Sequence, residues 1–251
     1  MSNLIKNYAN LNIIIKKDYI ILKTKQKTFK NKNFLSSLNV EKWVKDNIKY
    51  TDLYSKEEKN KYMDNKIENV ELPYMNFAFY SYLTAYQKIP TFEELLKNYK
   101  ELYLIETKDK NYKVKENIVG CENIIISPIF LKGRIFRSYY SFIREVHLLS
   151  IIQSFIPNAY YDFKKDLNGI DICISDNAGI ASFVYTNRSK DFKEKKNSYR
   201  HDFSNIKLLD LPAYMNPLDP KYNCVSINKI NLYNADMVKK EIKKFLKEAN
   251  L

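Results

Sequence analysis

The segment Phe136–Phe155, FRSYYSFIREVHLLSIIQSF, and the three short β-branched runs that follow it constrain the fold more than any other part of the chain. Tyr139, Ile143, Val146, Leu149 and Ile152 recur at spacings of three and four, which makes them one stripe of an amphipathic helix. Arg137, Ser141, Arg144 and Glu145 fall on its more polar side, and Pro157 ends it. AYYDF (Ala159–Phe163), GIDICIS (Gly169–Ser175) and IASFVYT (Ile180–Thr186) then read as three consecutive strands. The KKDLN and DNAG turns between them are short, so the strands form a meander. Asn187–His201, NRSKDFKEKKNSYRH, reads as a basic helix starting where the third strand ends. Strands near Asn205–Leu211 and Cys224–Tyr233 and an amphipathic helix from Ala235 to Ala249 complete this half.

The first half follows a different pattern. NIIIKKDYIILK (Asn12–Lys23) places two β-branched runs around a polar turn, a hairpin. From Ser37 to about Leu104 the spacing is helical: around Trp43, through the charged stretch Ser55–Asn69, along the aromatic run Tyr74–Tyr86, and in PTFEELLKNYKELYLI. The last has Thr91 before Glu93 and Glu94, a helix-start signal. Tyr74, Phe77, Phe79, Tyr80, Tyr82 and Tyr86 fit either a base-stacking surface or, more commonly for such a stripe, a core. TKDKNYKVKEN (Thr107–Asn117) is charged and without apolar periodicity, a linker or flexible hairpin. The expectation is an α+β protein. Residues 1–115 form a mostly helical recognition or accessory region with a hairpin, and residues 116–251 form an α/β core of helix, three-stranded meander, helix and strand.

Charge and rare residues narrow the chemistry. A net charge of +13 favours a polyanionic partner, because basic side chains against phosphates release condensed counterions. The abundance of Lys, Asn, Ile and Tyr also fits an AT-rich coding sequence on an ordinary solvated surface. The five arginines are more telling, since Arg134, Arg137, Arg144, Arg188 and Arg200 all fall in one window together with His147 and His201. In a chain that otherwise uses lysine, arginine marks sites needing a planar multidentate donor. Cys121, Cys173 and Cys224 are odd in number and show no zinc spacing, which points to a reducing cytoplasm. Neither a signal peptide nor a membrane-spanning run is read, and there is no GxxxxGK[ST] or GxGxxG motif. His201 has no serine or cysteine nucleophile in a recognisable context, and His147 is best read as structural.

Asp171 stands out chemically. It interrupts a strand of isoleucines, where packing alone gives no reason for an acid. Glu145 on the preceding helix, then D-x8-D across Asp162 and Asp171, then a strand ending YTNRS and a helix bearing Lys195 and Lys196, resembles the catalytic core of PD-(D/E)XK nucleases over roughly residues 133–211. The resemblance implies that Asp171 is the central metal-binding acid, Glu145 the acid from the helix and Asp162 a further carboxylate. Such a site holds Mg²⁺ or Mn²⁺, which activates a water for attack on a phosphodiester. The third strand departs from the pattern, with no acid or lysine in Ser182–Phe183–Val184 or Val184–Tyr185–Thr186. Arg188, Lys195 or Lys196 then supplies the missing positive charge, and these three with Lys190 and Arg200 are the expected nucleic-acid contacts. The implied activity is a DNA endonuclease of restriction or defence type, with RNA as a second substrate and a homodimer as a compatible assembly. The competing reading is a catalytically silent DNA-binding or defence-system interaction protein of the same fold.

Overall fold

The computed structural model describes residues 37–48, 72–115, 125–185 and 205–250, apart from positions 74, 87, 163, 164, 167, 168 and 229. The hairpin expected at Asn12–Lys23, the charged stretch Ser55–Asn69 and the basic helix Asn187–His201 lie outside these residues. The described residues combine five helices with three small sheets, an α+β architecture. They belong to two compact units, one within Lys49–Phe142 and one made of segments within Gln26–Ile48 and Ile143–Leu251. Among the described residues no helix is long and apolar enough to cross a membrane.

The first unit holds α2 (Met75–Tyr86), α3 (Phe92–Tyr103), the strands β1 (Leu104–Glu106), β2 (Tyr112–Val114) and β3 (Ile125–Ile126), and the start of α4 (Pro128–Gln153). Phe77, Phe79, Tyr80 and Tyr82 are buried, so the aromatic run is core; Tyr86 is exposed but stacks on Tyr82. α3 starts with a full capping box, in which Thr91 accepts from the Glu94 N–H and Glu94 accepts from the Thr91 N–H. The helical spacing predicts continuation through Ile105, yet α3 stops at Tyr103 because Leu104 adopts extended backbone and joins a sheet. β1 and β2 pair antiparallel, Leu104 opposite Val114, so the described part of the charged stretch Thr107–Asn117 forms a hairpin. Its turn closes through the Thr107 N–H to the Asn111 carbonyl, with Lys110 at a φ of 59°.

α4 begins eight residues earlier than the amphipathic stripe implies, at Pro128 rather than Phe136. The local signal is there to read: the Ser127 hydroxyl accepts from the Phe130 N–H, and Pro128 sits at the first helical position, where its missing N–H costs nothing. From Val146 to Ile152 every residue is buried, so this end of α4 is enclosed rather than amphipathic.

The second unit carries α1 (Ser37–Asn47), the end of α4, and a three-stranded sheet of β4 (Ile172–Ser175), β5 (Ala178–Val184) and β6 (Lys207–Ala213) in that spatial order. The hairpin β7 (Cys224–Ile227) and β8 (Ile230–Tyr233) follows, then α5 (Ala235–Glu248) capped by Asn234. The expected meander is reduced at its first strand to a single bridge between Tyr160 and Cys173, because Asp162 turns the chain away. The turn between β4 and β5 is only Asp176–Asn177, and Ala178 and Gly179, expected in the turn, already lie in β5. β5 pairs antiparallel with β4 and parallel with β6, with Ala181 opposite Asp210. The run Cys224–Tyr233, expected as one strand, folds back on itself at Asn228, whose φ of 48° is a conformation asparagine tolerates.

Candidate active site

Asp171 immediately precedes β4 and is only 7% exposed. Its backbone N–H donates to the Ile180 carbonyl, and its Oδ2 accepts from the Ser182 N–H at 2.5 Å. The carboxylate is therefore held against the backbone of β5 at the point where the family pattern expects an acid and a lysine. β5 has Ala181, Ser182, Phe183 and Val184 there, so neither is supplied.

The surroundings of Tyr233 define what lies near Asp171. This phenol, at the end of β8, is fully buried and donates to the Leu211 carbonyl at 3.1 Å. Burial raises its pKa well above the ordinary range, the guanidinium of Arg144 opposes that, and the charges of Asp171, Cys224 and Glu145 add to it. Arg144 is half-buried and its Nε donates to the Asn231 carbonyl at 3.0 Å. Burial lowers its pKa, while Tyr233, Cys224 and Glu145 pull the other way. Helical spacing places Arg144 on the polar face of α4; in the fold it is half-buried against the Asn231 carbonyl of β8.

Asp162 does a different job. Its Oδ1 accepts from the Lys165 N–H at 3.1 Å, a side-chain cap on the turn that leads to Asp166, and Asp166 itself accepts from the Tyr161 hydroxyl at 2.7 Å. Asp210, which the sequence reading passed over, is brought by the parallel register beside Ala181, one strand across from Asp171's partner strand. Nothing local marks it, because the register between β5 and β6 is set by strands distant in sequence. Among the described residues no group of three or more His, Cys, Asp or Glu side chains has a metal-holding arrangement. Arg188, Lys190, Lys195, Lys196 and Arg200 lie outside the described residues.

Among the described residues, Cys173, Cys224 and His147 are structural. Burial pushes the Cys173 thiol up to about 12 and the Cys224 thiol up to about 11, so neither is a thiolate nucleophile at neutral pH. His147 is fully buried, with Nε2 3.0 Å from a Glu41 carboxylate oxygen on α1. Burial lowers its pKa, and Glu41 offsets part of that.

No protein-family model, curated protein or solved structure matches this chain. The chemistry must be argued from the residues themselves. Asp171 is a buried carboxylate held on the backbone of β5, and Arg144 and Glu145 are half-buried neighbours on α4.

Proposed function

We propose that the second unit is the catalytic unit of a divalent-metal-dependent DNA endonuclease of restriction or defence type, with a PD-(D/E)XK-like core, acting in the cytoplasm. The observation that carries this reading is Asp171 itself, a buried acid whose Oδ2 accepts from the Ser182 N–H of the neighbouring strand. The order of elements supports it: a helix, a reduced meander, and a strand parallel to β5 reached over a long connection. Mg²⁺ needs only one or two protein carboxylates when waters and substrate phosphates complete its shell, so Asp171 and Glu145 fit it. A Mg²⁺ or Mn²⁺ held by these acids would supply a water acidified enough to attack phosphorus. Asp171 is oriented for this by the Ser182 N–H, and Arg144 lies next to Glu145 in sequence on α4. Asp162 serves the turn rather than the metal. Arg188, Lys190, Lys195, Lys196 and Arg200 supply phosphate contacts, with Arg188 or Lys195 taking over the missing lysine's charge.

One observation favours a second reading. β5 carries no acid or lysine beside Asp171, and Asp171 Oδ2 already has the Ser182 N–H as partner, as in a silent DNA-binding or interaction protein that kept the fold. Plasmid incubation in Mg²⁺ or Mn²⁺ separates the two. The wild type is expected to cleave, and Asp171→Ala to lose at least about 100-fold in rate while metal-free DNA binding stays equal or becomes slightly tighter. Asp171→Asn keeps the size and tests the charge alone. A wild type that cleaves neither DNA nor RNA in either metal leaves the silent reading standing.

A further inference from the structure

We propose that Tyr185 and Tyr214 form a stacking platform for an unpaired nucleobase, with Lys221 beside it for the neighbouring phosphate. The proposal rests on the nucleic-acid half of the reading above and not on its catalytic half.

The geometry begins at the carboxyl ends of the two parallel strands. Tyr185 follows β5 directly, and its N–H donates to the Ala213 carbonyl at 3.0 Å, extending the parallel ladder by one bond. Tyr214 follows β6 directly. The two rings are in contact, with centroids 4.7 Å apart and planes tilted by 33°. Tyr185 remains 41% exposed. Such an aromatic pair at a sheet edge is usually buried by its neighbours; this one keeps surface for a third ring.

The platform is rigid from behind. Asn223 accepts the Tyr214 N–H on its Oδ1 and donates its Nδ2 to the Pro212 carbonyl, both at 2.8 Å. A buried side chain thus fixes the backbone that carries Tyr214, and little conformational entropy is lost when a ligand stacks. The Lys221 ammonium lies 5.7 Å from the Tyr214 centroid, and its backbone N–H is tied into a turn by Asp219 at 2.8 Å. An aromatic pair with a cation over one of its rings offers partners for the two parts of a nucleotide, base and phosphate.

Position gives the platform its purpose. Asp171 is bonded to Ser182, three residues before Tyr185, or roughly 10 Å along an extended strand. That is on the order of one to two nucleotide steps, so a base on Tyr185 holds a backbone phosphate within reach of Asp171. A base can stack there only when unpaired, so the platform takes a single-stranded or frayed segment of the DNA and not its paired part.

The test is binding of a fluorescein-labelled short oligothymidylate and of an abasic strand with the same phosphates, followed by anisotropy in EDTA so that cleavage plays no part. Wild type is expected to bind the oligothymidylate more tightly than the abasic strand. Tyr185→Leu should weaken oligothymidylate binding roughly tenfold and leave abasic binding unchanged, while Tyr185→Phe keeps wild-type affinity. Lys221→Ala should weaken both strands alike and flatten the salt dependence. If wild type binds both strands equally, or Tyr185→Leu matches wild type on oligothymidylate, the platform is overturned even where plasmid cleavage succeeds. Base-dependent binding with no cleavage in any metal overturns only the catalytic reading. Failure to bind any nucleic acid overturns both.

Discussion

Glu94 shows how one side chain sets a local pH response. Burial pushes its pKa up, but the Lys88 ammonium at 2.5 Å, the Thr91 N–H and the Tyr82 hydroxyl outweigh it and hold the carboxyl at about 2, against an ordinary 4.5. A depressed carboxylate stabilises the fold above its unfolded pKa, and that contribution is lost as pH falls from about 4.5 to about 2. In urea titrations across this window, wild type should lose stability relative to Glu94→Gln, which cannot titrate. Thr91→Ala, which removes the other half of the capping box, should cost about 1 kcal/mol at neutral pH. An identical acid slope in wild type and Glu94→Gln would remove Glu94 from the account. At the same scale, Asp171 and Asp162 look equivalent as letters, yet one is held on the backbone of a neighbouring strand and the other caps its own turn.

Among the elements, the β4–β5 hairpin is the one whose packing tolerates least change. Gly179 pairs with Cys173, and a Cβ built on it meets Ile170 Cγ2 at 2.4 Å and the Ile172 carbonyl at 3.2 Å. Ile170 is buried and β-branched, so its methyl has little freedom to move aside. Gly179→Ala should therefore destabilise by about 1–3 kcal/mol. Ile170→Ala opens a cavity at its own cost, but it also removes the clashing methyl, and the double variant should lose clearly less than the sum of the two. Strict additivity in thermal or urea unfolding would refute the clash. The sequence reading assigned Gly179 to the turn because D-N-A-G looks like one; the structure uses it for close approach instead.

For the whole molecule, the exposed turn at Lys108 and Lys110 carries a prediction about organisation. Exposed polar turns are the preferred sites of nicking, and trypsin should cut here early. Both sides of the cut belong to the first compact unit, where β1 pairs with β2 and β2 with β3. The nicked chain should then elute as one species from a sizing column and part only in denaturant. Two separate folded fragments from this cut would show instead that a domain boundary runs through the stretch.

What the sequence determined by itself was local. The cap at Thr91, the stripe along α4, the helix at Ala235 and the alternation that exposes Asp171 among isoleucines are written in spacings of two to four residues, and backbone geometry turns such spacings directly into faces. The start of α4 was equally legible in Ser127–Pro128. The tertiary structure alone decided the parallel pairing of β5 with β6, the placing of Asp210 beside Ala181, the meeting of Tyr185 with Tyr214, and the bonds of Asp171 to Ser182 and of Arg144 to Asn231. These join residues far apart in the chain, and their register follows from which buried side chains pack together, a sum over the whole core that no short window of sequence contains.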